Sequence, residues 1–492
     1  MTENNNYKIL TDEQEEKIHH TALKVLREIG VKFHYQEALE VLEKAGARVE
    51  GNLVKFPESL VKESLEMTPS KFTLYNRDLT DNFEWGVNSD IQLGGAGSAI
   101  VLLDSDGKTY RDPMTEDLIT LFKLIDNLPE ISWMAPGMIV KDVPMGIAGI
   151  WRFYLRLKYG TKPSCIDGLS EEDLIDNISL LHVVRDNNED FIKKPFSLCE
   201  SCPTPPLNWT NEGAAFLVQG AKAKIPILLM PMLFTGTGAP ITIAASVVQH
   251  VAEALAGLVL VEQITQGIPV VYAGAPVYMD MRYGSAPLSS IEALMITMAH
   301  TQMAQYYNIP SGTGDVTGHS DSKLNDFQCG AESALSQALF TMSGLKGPCG
   351  VGFLASEEGY SFEKLVLDCE VFRYIKKLND GICVSPETLA FEVMKEVGNK
   401  GEFLTHKHTL KHFKQEYEFS ELFNRQSREG WQKSGKKEIL QLAREKVNKI
   451  ATNATLNCLS PEVDAALDKK MDSILKRRGI NFEELKKLLP KS

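Results

Sequence analysis

The chain has 492 residues, 43% of them apolar, and a formal net charge of −13. That length holds one large barrel with additions or several small domains, and the apolar share supports a sizeable core. The acidic balance argues against nucleic acid, whose phosphates need clustered Lys and Arg. Eight scattered cysteines fit a reduced, cytoplasmic protein better than a disulfide framework.

Met1 to Asn6 is polar and lacks the basic and apolar regions of a signal peptide. Thr11 to Ile29 reads as a helix with an apolar face from Leu23, Val25, Leu26 and Ile29, stopped at Gly30. Gln36 to Ala45 and Pro57 to Met67 read as two more, ending at Gly46 and Pro69. Phe72 to Tyr75 reads as a strand. Residues 1–90 are thus expected to form an N-terminal helical cap.

From there about eight similar passages follow, each a short apolar run ending in Gly, Pro, Ser or Thr and then a stretch of helix length. The runs are Ala99 to Leu103, Ser132 to Val140, Pro163 to Ile166, Pro195 to Cys199, Ile225 to Met232, Ile268 to Ala273, Ile309 to Thr313 and the passage from Gly350 to Gly359. Their recurrence predicts an α/β fold, a closed (β/α)8 TIM barrel over 91–380, with chemistry on the loops after the strands. Helices are predicted over Thr115 to Asp126 with Thr115 as cap, Ser170 to Arg185, Asn208 to Ala223, Ile243 to Gln266, Leu288 to Tyr307, Asp326 to Ser343 and Ser361 to Leu378. Ile241 to Ile264 is the best membrane candidate, but Gln249, His250, Glu253 and Glu262 interrupt it, so it reads as a buried helix. Residues 381–492 change character: Lys433 to Arg478 is charged and helical with a break before Pro461, and the whole is expected to be a helical extension packed on the barrel.

The strand ends bring Glu200 to Thr204, Phe234 to Gly238, Gly274 to Arg282, Gly314 to Lys323 and Phe353 to Glu358 to one face. Cys199 and Cys202 form a CxxC, with His319 and Cys329 as conceivable distant ligands, but without the second pair that zinc spacing requires. Ordinary thiols are the plainer reading. Gly236–Gly238 and Gly312–Gly314 complete no phosphate-binding pattern and fit turns or close approach instead. Asp280 with Arg282 reads equally as a rim ion pair or as site residues, and His319 as a loop cap or a site residue.

Short stretches in shared order carry a resemblance. They are Leu10 to Gln14, Leu26 to Val31, Ala45 to Ala47, Tyr75 to Asp78, Tyr278 to Arg282, Ser320 to Lys323, Glu363 to Asp368, Ser385 to Ala390 and His408–Thr409. In these the chain resembles the trimethylamine methyltransferase family of corrinoid-dependent methyltransferases. The resemblance implies a barrel that moves a methyl group from a methylated amine to Co(I) of a separate, cognate corrinoid protein, with no tightly bound cofactor of its own. Some members of that family carry pyrrolysine in the mouth. This chain has only the twenty standard residues, and the missing position would fall near Gly314 to Lys323. Its absence points away from trimethylamine and toward a quaternary amine such as glycine betaine, proline betaine or carnitine, whose methyl transfer releases a neutral amine without an acid.

A cation lacking N–H donors is held by aromatic faces and carboxylates. The ammonium is accordingly expected among Phe234, Tyr278 and Phe353, with Asp280 and Asp315 as anionic partners, and a substrate carboxylate near Arg282 or His319. Asp315 and His319 are the candidate catalytic residues, and no metal ligand is assigned. Partners are then a small quaternary amine, the corrinoid protein and further copies of the chain, with no membrane or nucleic acid. A zinc-dependent barrel methyltransferase and a non-catalytic betaine-binding protein are the alternatives.

Overall fold

In the computed structural model residues 6–490 are described, apart from 167, 186, 187, 400 and 457, so the Met1 to Asn6 reading falls almost wholly outside the described residues. Eight parallel strands form the centre: β1 Leu93–Gly95, β2 Ile131–Met134, β3 Ser164–Ile166, β4 Ser197–Ser201, β5 Ile227–Leu229, β6 Val270–Tyr272, β7 Gly312–Asp315 and β8 Gly347–Val351. A parallel bridge between Tyr272 and Ser311 joins β6 to β7 and closes the ring. Each strand is followed by a helix: α1 Thr115–Asn127, α2 Ala148–Tyr159, α3 Glu171–Val184, α4 Asn211–Lys222, α5 Ile243–Ile264, α6 Ile291–Tyr306, α7 Phe327–Met342 and α8 Phe362–Asp380. The fold is the expected TIM barrel.

Two details correct the sequence reading. The first barrel strand is Leu93–Gly95, and Val101–Leu103 instead joins a small sheet above the mouth with Tyr110–Arg111, Phe353–Leu354 and Gly359–Tyr360. The reason is space: a Cβ on Gly94 would sit 2.6 Å from the Trp133 ring, so β1 carries glycine where an apolar run was sought. At α1 the cap is Met114 rather than Thr115, because the Asp117 carboxylate accepts from the Met114 N–H at 2.9 Å and Thr115 bonds to Asp142. Ser361 caps α8, accepting from the Lys364 N–H at 3.2 Å.

The barrel interior is filled partly from outside. Residues before the barrel form helices and also a hairpin, Lys71–Tyr75 against Asn82–Gly86, whose Leu74 and Trp85 enter the strand ring. There they pack with Trp133, Cys165, Leu198, Leu228, Val271, Ala273 and Cys349. Trp85 donates its indole N–H to the Ser311 carbonyl at 3.0 Å. A Cβ on Gly347 would lie 1.9 Å from the Trp85 ring, so β8 must carry glycine at that point. A tryptophan thus substitutes for the missing strand side chains and floors the cavity above.

Helix α5 is long and apolar enough by composition to cross a membrane, but 78% of its apolar window is buried within the protein. After α8, helices Ile439–Asn453 and Pro461–Arg477 pack on the barrel helices. Between α8 and Ile439, the helices Pro386–Leu389, Phe391–Val397 and Lys407–Glu416 contain no buried residue.

Candidate active site

Strand alternation decides which residues enter the mouth. Leu198 lies in the interior cluster, so Glu200 and Cys202 share its inward side. Cys199 and Ser201 face α4 instead: the Cys199 thiol donates to the Phe216 carbonyl at 3.5 Å, and Ser201 donates to that of Gly213 at 2.8 Å. The CxxC therefore splits across the strand, and its thiols cannot share a metal from opposite faces. Cys329 packs instead with Leu103 and Leu354. Among the described residues no group of three or more His, Cys, Asp or Glu is arranged around a metal position.

Above the tryptophan floor, Asp315 at the end of β7 occupies the centre. Its Oδ1 accepts from the Cys349 thiol at 3.5 Å, and a Cβ on Gly97 would lie 2.0 Å from its Oδ2 and 2.5 Å from the Phe353 ring. Gly97 is thus the wall that lets carboxylate and ring approach each other. Burial, then Glu357 and Glu200, push the Asp315 carboxyl well above the ordinary carboxylate range. Arg152, which donates to Ser98 Oγ at 3.3 Å and to the Gly137 carbonyl, opposes that rise. Burial and the neighbouring Glu200 and Asp321 likewise raise Glu357 to about 8. The Cys165 thiol bonds to Glu200, and burial with the nearby carboxylates keeps Cys165, Cys202 and Cys349 as thiols. Glycines at 312 and 314 serve close approach: their faces are taken by Val271 and by Met230.

Glu357 arrives by an unusual backbone. Ala355, Ser356 and Glu357 have φ of 54°, 56° and 70°, three consecutive left-handed residues without a glycine. Each such residue costs about 1–2 kcal/mol, a strain that functional loops often store. Ser356 anchors the turn by donating to Asp321 Oδ1 at 2.8 Å.

The sequence-chosen residues divide into three places. Asp315 and Phe353 meet in the mouth. His319 is fully buried, its ring stacked on Phe353 at 6.1 Å, and its Nε2 is 3.6 Å from Asp321 Oδ1, too long for a hydrogen bond. Phe234 and Tyr278 sit half-buried on a short parallel pair, 234–235 against 277–278, beyond β5 and β6. Asp280 and Arg282 lie at the rim as a bidentate pair at 2.6 and 3.0 Å, with the Arg282 side chain 78% exposed. That pairing holds the Asp280 carboxyl down at about 2. Glu200, Glu357 and Arg152 were not singled out in advance. The signal for Glu200 was available, since it is the one charge within β4, two positions from an inward leucine.

A three-carboxyl mouth in a TIM barrel fits several chemistries, and comparison with known proteins narrows them. The family model described as trimethylamine methyltransferase (MTTB) matches residues 1–481. The chain belongs to that family. Its members are methyltransferases, and this chain is an enzyme of that kind. It is 30% identical over 466 residues to trimethylamine methyltransferase MttB of Desulfitobacterium hafniense, covering 93% of this chain and 92% of the relative. It is 29% identical over 477 residues to a glycine betaine methyltransferase of the same species, covering 96% and 97%. Among solved structures the Methanosarcina barkeri monomethylamine methyltransferase (MtmB) superposes with a TM-score of 0.53 at 14% identity, over 90% of this chain and 88% of that one. That likeness is one of fold, the TIM barrel.

Proposed function

We propose that this enzyme takes a methyl group from a quaternary ammonium compound of the betaine type and passes it to Co(I) of a cognate corrinoid protein. The observation that carries the reading is the mouth itself: Glu200, Asp315 and Glu357 gather beside the buried ring of Phe353. Desolvated carboxyls beside an aromatic face suit a cation that offers no N–H donor. Two relatives whose names carry trimethylamine and glycine betaine bracket the substrate class.

The cobalt nucleophile receives the methyl as the N–CH3 bond breaks, and its electron pair stays on nitrogen as a neutral tertiary amine. No proton is needed by the leaving group. The protein's part is to fix the ammonium, aim one methyl outward and keep water from the mouth. In this reading Asp315, Glu200 and Glu357 hold the ammonium against Phe353, and Phe234 and Tyr278 line the approach. His319 acts from behind Phe353 by holding its ring. The test is the visible spectrum of a Co(I) corrinoid protein incubated with this enzyme and each of glycine betaine, proline betaine, carnitine and trimethylamine. Methylation from a betaine but not from trimethylamine is expected. Methylation from trimethylamine alone overturns the substrate assignment, and betaine binding without cobalt methylation overturns the activity.

A further inference from the structure

We propose that Asp321 and Ser356 are positioning residues for methyl transfer: they clamp together the loops after β6, β7 and β8 so that Glu357 is held in the mouth. The clamp rests on the proposed function only in what Glu357 holds there, an ammonium.

The backbone creates the need for a clamp. Residues 355–357 run left-handed without a glycine, a conformation that persists only where its surroundings impose it. Within the turn the Glu358 N–H donates to the Ala355 carbonyl at 3.3 Å. Further bonds come from the loop after β7. The Ala355 N–H donates to the Ser322 carbonyl at 2.9 Å, and the Ser320 N–H to the Phe353 carbonyl at 3.2 Å. The Ser356 hydroxyl donates to Asp321, one residue from Glu357.

Asp321 gathers donors from the loop after β6 as well. Its Oδ1 also accepts from the Leu288 N–H at 3.1 Å, and its Oδ2 from the Ser289 N–H at 2.9 Å. Its own N–H donates to Glu332 Oε2 on α7 at 2.9 Å, and the Ser320 hydroxyl to the same oxygen at 2.7 Å. A line of contacts thus runs from α7 through Glu332 and Asp321 to Ser356 and Glu357. A carboxylate suits the junction, because three donors meet its two oxygens; an amide would turn its NH2 onto at least one of them. Burial works to raise the Asp321 carboxyl, but the His319 ring, Ser356 and the Ser289 N–H bring it below the ordinary range, so it is an acceptor at neutral pH.

Charge gives the clamp its work. Glu357 is buried and faces Glu200 of β4, Asp315 of β7 and Asp321 itself. Desolvation and like charge both drive an ionised Glu357 toward water. Untied, the turn would let it go.

The test compares wild type, Ser356→Ala, Glu357→Gln and their double variant. The first readout needs no substrate: melting temperature against pH. Wild type should lose stability between about 4.5 and about 8 through Glu357, and Ser356→Ala should lose that share of the slope as Glu357→Gln does. The second is calorimetric affinity for glycine betaine at pH 9. Ser356→Ala should bind about tenfold more weakly, and the double variant no more weakly than Glu357→Gln alone. Ser356→Gly, which suits the φ of 56°, secures the fold: it should melt no lower than Ser356→Ala and bind as weakly. A Ser356→Ala protein with the slope and affinity of wild type overturns the proposal, as do losses from Ser356→Ala and Glu357→Gln that add in the double variant. If wild type binds no betaine, the substrate assignment falls, while the slope without substrate still decides whether Ser356 holds Glu357.

Discussion

Cation binding in the mouth should be linked to proton release, and the linkage has a sign. Glu357 is held at about 8, against an ordinary 4.5. Below about 8 the empty site therefore carries a proton on Glu357, and an ammonium that occupies the site must displace it. Apparent affinity for a betaine should rise as pH rises toward 8 and level off above it. Two pH units below the midpoint the loss is roughly a hundredfold, tenfold per unit. Titration calorimetry at pH 6, 7, 8 and 9, in two buffers of different ionisation enthalpy, measures both affinity and protons released. Glu357→Gln should flatten the profile and weaken binding most above pH 8. Affinity that is constant from pH 6 to 9, or that falls as pH rises, would refute the reasoning. The same carboxyl makes a stability statement. Between about 4.5 and about 8 the folded protein holds a proton that the unfolded chain releases, so this group lowers substrate-free stability as pH rises through that window. The melting temperature should follow, and Glu357→Gln should remove that share of the slope.

Trp85→Ala should destabilise the protein by about 3–5 kcal/mol, since it empties the barrel floor; a denaturant midpoint within error of wild type would count against the plug. Phe353→Ala should weaken betaine binding about ten- to thirtyfold, the worth of a desolvated cation–π contact, with the melting curve checked in parallel. Changing Cys199 and Cys202 together to Ser should leave most methyl transfer intact, because the thiols face opposite sides of β4. A loss above about a hundredfold, roughly 2.7 kcal/mol of barrier, in a folded variant would restore the metal reading.

Strands β2 to β6 were legible because each buries an apolar run and ends in turn residues, while β7 starts at Gly312, inside the run sought from Ile309, and β8 at Gly347, three residues ahead of the passage sought from Gly350. Strand β1 was not legible, since Gly94 and Gly95 answer to ring shape across the barrel rather than to any local pattern. Asp315 and Phe353 could be found from their place at strand ends. Glu357 could not be ranked above its neighbours, because nothing in Ala355-Ser356-Glu357 announces a left-handed turn. Arg152 lies on α2, a helix whose twelve residues are almost wholly buried and so show little of the amphipathic contrast that marks the others. Arg282 was read in two ways, and its partner, Asp280, is what a two-residue spacing across a rim turn provides.

The tryptophan floor also bears on how the chain is made. Trp85 must wait for Ser311, 226 residues downstream, before its indole N–H finds a carbonyl, and for Gly347 before its ring finds a socket. During synthesis a hairpin carrying Phe72, Leu74, Phe83 and Trp85 leaves the ribosome long before the strands that will enclose it. Contacts so distant in sequence close late and slow folding. An apolar hairpin held open for that interval is where a chaperone would be needed most, and shortening the chain from either end removes one half of the lock.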